Sequence, residues 1–187
     1  MKQSNSRAVI SGTVCLLIIC FVVTLTVSGT RAAFKDKIAE QEWLKQQESM
    51  SRIIKADTYE ELPVEEGEQA YLALDESGKT LGYIFVTEAY GYGSMISVMS
   101  GISEEQVVGV EILDCSSETP GLGQNVAEPS FSKQFKGVTE PPIVTKTAAR
   151  SKNEIEAVTG ATKSSTAVAD AVSEAMNLYR TYIDSVE

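Results

Sequence analysis

Two short stretches combine residue types that could hold a phosphorylated ligand. The first is Glu156-Ala157-Val158-Thr159-Gly160-Ala161-Thr162, followed at once by an amphipathic helical pattern. A threonine there can carry a phosphate. Gly160 and Ala161 are small enough to let backbone approach a bulky ligand, and a helix opening near Ser164 turns free N–H groups and its positive dipole end toward the hydroxyl. Taken alone, Thr159–Thr162 is more often a helix entry, with Thr162 or Ser164 as cap, than a cofactor site. The second stretch is Ser117-Glu118-Thr119-Pro120-Gly121-Leu122-Gly123-Gln124-Asn125. Pro120-Gly121 suits a tight turn with positive φ at the glycine, and the N–H groups of such a turn can point at carbonyl or phosphate oxygens. Thr119 adds a hydroxyl, Glu118 an acceptor, and Leu122 an apolar cover for a planar ring.

Other chemistries find little support. The chain has no histidine and three cysteines, of which Cys15 and Cys20 fall in an apolar run and Cys115 stands alone. Iron–sulfur and structural zinc sites need several thiolates or imidazoles, and a haem would lack its commonest axial ligand. No metal site is expected, and an electron carrier here would be organic. No catalytic residues are assigned.

These motifs must be positioned by the rest of the 187 residues. From Ala8 to Val27 the chain is free of charge, long enough as a helix to cross the roughly 30 Å of a bilayer core. An uncleaved single-pass anchor is expected, with cleavage near Ser28-Gly29-Thr30 as the alternative. Lys2 and Arg7 precede the span and Arg31, Lys35, Lys37 and Lys45 follow it, so charge leaves the orientation open. Beyond the span lie 14 of the 16 basic and all 26 acidic residues; 14 cations against 26 anions leave −12, which opposes contact with nucleic acid or anionic lipid.

The pattern predicts a juxtamembrane helix over residues 31–54, with Phe34, Ile38, Trp43 and Leu44 on one side, and an acidic linker with Pro63 over 57–69. Strands follow at 70–74, 80–89, 95–99 and 107–113 as an antiparallel meander. Residues 116–126 read as loop, Phe131 and Phe135 as one short helix, 143–147 as an edge strand, and 165–183 as a helix burying Val168, Val172, Ala175, Tyr179 and Tyr182. The domain expectation is a tail at 1–7, a transmembrane helix at 8–28, stalk and linker at 29–69, and a ligand-binding domain at 70–187. The fold class is α+β: one N-terminal transmembrane helix, then a small domain with a mainly antiparallel sheet packed against helices.

The heptad 156–162 resembles the flavinylation signature of the FMN-binding domain family, and the string 118–123 is similar to a hallmark of two related members. These are the G subunit of the Rnf electron-transport complex and the C subunit of the sodium-pumping NADH:quinone reductase. The match runs from about Gly82 to Val172 and includes Gly91-Tyr92-Gly93, Phe131 and Phe135. It departs at Ser116 and Ser117, where many relatives place a histidine, and at Glu156, where the signature usually starts with aspartate.

The resemblance implies one covalent FMN esterified through its phosphate to Thr162, with Glu156 in the flavinylation signal. Glu118, Thr119, Pro120, Gly121, Leu122, Gly123, Thr159, Gly160 and Ala161 would line the cofactor site. It further implies a flavin transferase for maturation, integral-membrane and iron–sulfur partner subunits, an extracytoplasmic domain on the cell membrane, and electron relay between ferredoxin and NAD within an ion-translocating complex. The alternatives are a stand-alone flavinylated protein for extracellular or periplasmic electron transfer, a component like the quinone reductase's C subunit, and an unmodified ligand-binding domain with the same turns.

Overall fold

A computed structural model describes residues 2–64 and 69–186. The chain divides into two compact units, Met1–Lys45 and Gln46–Glu187. One helix, α1 (Lys2–Ile53), contributes to both.

In the first unit, Ile10–Arg31 forms a 22-residue apolar stretch. Large side chains such as Phe21, Leu17 and Leu25 are exposed around it. Such a surface is costly in water and natural in lipid, and the chain is membrane-anchored through it. Within the span, Thr26 and Thr30 donate their hydroxyls to the carbonyls four residues back, at 2.7 and 2.8 Å, so neither is left unsatisfied in hydrocarbon. Phe34, Trp43 and Leu44 of the expected juxtamembrane stripe are exposed. The side chains of Ile38 and of the 1–7 tail lie outside the described residues, as do Glu65, Glu66 and Glu68 of the expected linker.

The second unit is built on a five-stranded antiparallel sheet in sequence order. Its strands are β1 (Thr58–Glu61), β2 (Gln69–Leu74), β3 (Thr80–Tyr90), β4 (Met95–Ser103) and β5 (Gln106–Asp114). The meander is as expected with one strand added: β1 occupies part of the stretch read as linker and pairs with β2 from Thr58↔Leu74 to Glu61↔Tyr71. Side chains alternate across the sheet, so neighbours on β3 serve opposite faces. Phe85 joins a core with Phe131, Phe135, Ile155 and the helix α3 (Thr162–Val186), whereas Ile84 joins Met50, Ile54, Tyr71 and Met99. The end of α1 is therefore core, with Met50 at 0% exposure, and not only stalk.

Helix α3 packs Ala167, Val168, Ala171, Val172, Ala175 and Met176 on the sheet. The stripe continues to Tyr179 and Tyr182, whose rings lie 5.4 and 5.6 Å from that of Tyr83. Thr87 on β3 donates to the Ala171 carbonyl at 2.8 Å and fixes the two layers in register.

Three local expectations are corrected. The stretch read as loop contains a 3-10 helix, Gly123–Ala127. The short helix around Phe131 and Phe135 is a single α turn, α2 (Pro129–Ser132), continued by a 3-10 turn, Lys133–Phe135; both rings are still buried, edge to face at 5.5 Å. The strand at 143 does not extend the meander. As β6 (Ile143–Thr145) it pairs in parallel with β7 (Glu154–Glu156) in a separate two-stranded sheet.

Candidate functional site

Three segments distant in sequence meet around one buried carboxylate. After β3 the chain reverses through Gly91-Tyr92-Gly93-Ser94, closed by the Gly91 N–H on the Ser94 carbonyl at 2.7 Å. After β5 it turns again: Ser116 N–H donates to Asp114 at 2.8 Å and Glu118 N–H to the Cys115 carbonyl at 3.0 Å. This second turn carries the Glu118 side chain beneath the first. Glu118 is 2% exposed. Its Oε1 accepts from Gly93 N–H at 2.8 Å and Ser94 N–H at 3.3 Å. Its Oε2 accepts from Tyr92 N–H at 3.2 Å and from the Ser164 hydroxyl, in the first turn of α3, at 2.5 Å.

The carboxylate fits because two neighbours lack side chains. A Cβ on Gly91 would lie 2.6 Å from Oε1, and one on Gly123 2.7 Å from Oε2. Burial pushes the Glu118 pKa up, but the Ser164 hydroxyl and the N–H groups of Gly93, Tyr92 and Ser94 outweigh it and hold the group below its ordinary value, ionised and acceptor-only.

Above this anchor lies a cleft of about 410 Å³, within the size range of small-molecule sites. One side is the 118–123 loop, which contributes Thr119, Leu122 and Gly123; the other is the entry to α3, which contributes Gly160, Ala161, Lys163 and Ser164. The loop is self-supporting: Leu122 and Gln124 N–H donate to the Thr119 carbonyl at 3.1 and 3.3 Å, and the Asn125 amide donates to the Gly121 carbonyl at 3.0 Å. Gly121 has φ +73°, as its turn requires.

Opposite, Gly160 takes φ +79°, and a Cβ there would stand 3.0 Å from Leu122 Cδ2, so the two walls touch. Ser165 N–H donates to the Ala161 carbonyl at 2.9 Å and starts α3 with Thr162 as its first residue. The Ser165 hydroxyl caps the entry, donating to the Ala161 carbonyl and accepting from Val158 N–H, both at 3.0 Å.

The α3 end concentrates partial positive charge at the cleft. Lys163 adds a full charge there, 5.5 Å from the centre of the Tyr90 ring. Tyr90 and Tyr92 are 61% and 70% exposed beside it. The arrangement can receive an anion at the helix end and lay a planar ring against Tyr92 and Leu122. The described residues include no cluster of metal-ligating side chains.

Of the residues singled out from sequence, Thr119, Leu122, Gly123, Gly160 and Ala161 line this cleft together. Thr162 lies between two lining residues and is partly exposed; its carbonyl accepts from the Thr166 hydroxyl at 2.9 Å. Thr159, Pro120 and Gly121 are exposed and do not line the cleft. Glu118 stands behind the wall, its oxygens turned to protein donors. Glu156 ends β7, where its backbone is tied to the Gln134 side chain in both directions, at 2.8 and 3.2 Å; it borders a separate cleft of about 340 Å³ with Asn125 and Phe131. Sequence reasoning missed Lys163 as a lining residue and Ser164 as the partner of Glu118. A lysine directly after Thr162 was the available signal for the first.

Residues 91–177 match the FMN-binding domain family, so the cleft lies in a flavin-binding module. The chain is 30% identical over 189 residues to the G subunit of the ion-translocating oxidoreductase complex of Methanosarcina acetivorans, covering 94% of this chain and 96% of that one. It is 28% identical over 184 residues to the G subunit of the proton-translocating ferredoxin:NAD(+) oxidoreductase complex of Clostridium ljungdahlii, covering 97% of each. The chain belongs to the family formed by the G subunits of these complexes. The fold is similar to the crystal structure of NqrC from Shewanella oneidensis, with TM-score 0.50 and 22% identity over 57% of this chain and 54% of that one.

FMN is chemically compatible with the cleft. Its phosphate suits the N–H-rich, lysine-flanked opening of α3, and its ring suits the apolar surface of Leu122 and Tyr92.

Proposed function

We propose that this protein is the membrane-anchored flavin subunit of an Rnf-type complex, relaying electrons between ferredoxin-side and NAD-side subunits through one FMN esterified to the Thr162 hydroxyl. The observation that carries the reading is the meeting of the 119–123 loop with the α3 entry, around a cleft directly beside Thr162. Membership in the family of G subunits supports the setting. Integral-membrane and iron–sulfur subunits are the partners, and the soluble domain faces the extracytoplasmic side.

Outside the cytoplasm no dependable pool of free FMN exists, and a phosphoester removes dissociation and holds the ring at high effective concentration. When bound, FMN supplies one-electron redox chemistry; the protein supplies orientation and polarity. First-turn N–H groups of α3 and Lys163 neutralise the phosphate. Leu122 and Tyr92 exclude water from the ring, and Thr119 and Thr159 offer it hydroxyls. Glu118 fixes both walls without touching the ligand. Thr162 itself is modified by a separate flavin transferase, for which Glu156 belongs to the recognition signal.

Boiled membranes run on a gel under ultraviolet light test this. A fluorescent band at the size of this chain, absent in Thr162→Ala, is expected, together with loss of ferredoxin-dependent NAD reduction in the mutant membranes. Fluorescence that persists in Thr162→Ala refutes the attachment site. Unchanged NAD reduction in mutant membranes that lack the fluorescent band refutes the assigned relay.

A further inference from the structure

The two edges of the five-stranded sheet are built differently. β1 is four residues long, Thr58-Tyr59-Glu60-Glu61, with Pro63 close behind; short, charged edges discourage added strands. β5 has nine residues, among them Val107, Val108, Val110 and Ile112, and among the described residues has only β4 as a strand neighbour. Its outer edge is covered at one end, where Val107 N–H donates to the Val138 carbonyl at 2.8 Å and the Val107 carbonyl accepts from Gly137 N–H at 2.6 Å. Among the described residues, no further backbone pairing covers that edge through Ile112. A cleft of about 520 Å³ opens there instead, touched by all five residues 108–112. Over 109–112, where β5 pairs with β4 in register, successive side chains point to opposite faces, so a cleft bordered by all four follows the backbone edge and not one face. Arg52 and Ile53 wall it on one side, and Pro129, Lys133 and Lys136 on the other.

We infer that this cleft takes an extended, acidic segment of a partner protein in the complex as a sixth strand on β5. Main-chain pairing along an open edge supplies the affinity in such contacts, and flanking side chains supply selection. Here the selecting groups are Lys133 and Lys136, both exposed. Among the described residues no carboxylate forms an ion pair with either, in a chain of net charge −10. They make a local positive rim that draws carboxylates. Arg52 is not available for this, since Glu111 and Glu48 hold its guanidinium. The inference rests on the reading of this chain as one member of a complex, but not on the flavin ester.

The test uses the full-length chain in its native membrane complex. A photoreactive amino acid at Ser132 is expected to crosslink to an Asp/Glu-rich stretch of a co-purifying partner. Amides 109–113 as a set are expected to exchange hydrogen at least about tenfold more slowly in the complex than in the free chain in detergent. Lys133→Glu with Lys136→Glu is expected to lower recovery of partner subunits several-fold, with Lys133→Gln and Lys136→Gln intermediate, while the fluorescent flavin band remains. Equal exchange in the two states overturns the proposal, as does a crosslink to a second copy, to lipid or to a basic segment. Loss of the flavin band with assembly intact bears on the cofactor reading alone.

Discussion

Replacing Glu118 by glutamine keeps the shape of the site and removes what holds it. The carboxylate accepts four hydrogen bonds, three from backbone N–H groups of residues 92–94 and one from Ser164. In Glu118→Gln the amide oxygen can keep Gly93 and Ser94, but the amide nitrogen then faces Tyr92 N–H, donor against donor. Hydrogen bonds to a charged group are worth about 1.5–3 kcal/mol, and a buried donor left without an acceptor costs about 1–3 kcal/mol. Ser164 can rotate its hydroxyl and accept from the new amide, which recovers part of the loss. The expected net cost is roughly 2–4 kcal/mol, read by urea unfolding of the full chain in detergent. Amide exchange at Tyr92, Gly93 and Ser94 should accelerate, because the carboxylate is their fastening.

The pH dependence gives an independent check. The folded-state pKa of Glu118 is lowered from its ordinary value of 4.5, because the Ser164 and backbone donors prevail over burial. Its contribution is therefore present above the unfolded pKa and is lost as pH falls through the folded one. The stability gap between wild type and Glu118→Gln should narrow through that acidic window. A gap below about 0.5 kcal/mol at neutral pH, with unchanged exchange at residues 92–94, refutes the role assigned to this carboxylate.

Gly160→Ala forces a side chain into φ +79° against Leu122 and is expected to cost about 1–2 kcal/mol and to lower flavin occupancy, measured by in-gel fluorescence. The β4–β5 hairpin turns through Glu104 and Glu105, at φ 50° and 60°. Glu104→Asn with Glu105→Gly suits that geometry and should stabilise the domain by about 1 kcal/mol in urea titration. Met50→Ala, at a fully buried position against the sheet, should cost about 2–5 kcal/mol; a change below about 0.5 kcal/mol shows that the end of α1 is not core.

Elements with a strong period were legible. Val168, Val172 and Ala175 mark the buried side of α3, and the β-branched and aromatic run in β3 marks a strand covered on both faces. β1 and β7 were not, because Thr-Tyr-Glu-Glu and Glu-Ile-Glu have too few apolar residues to show alternation, and pairing with distant partners decides them. The end of α1 read as stalk because its burial comes from a sheet formed later in the chain. At the site, both loops could be read from local chemistry, since tight turns and a helix entry announce themselves in Pro120, Gly121 and Gly160. The place of Glu118 could not, because its partners lie 24–26 and 46 residues away. The clue was indirect: glycines at 91 and 123 leave the space that the carboxylate fills.

The central claim is the bond at residue 162. Peptide mass spectrometry of the chain, purified from membranes of a host with an active flavin transferase, should find the fragment containing Thr162 heavier by one FMN less one water, with the increment localised to that side chain. An unmodified Thr162 in such a preparation, or the increment on another residue, contradicts the account.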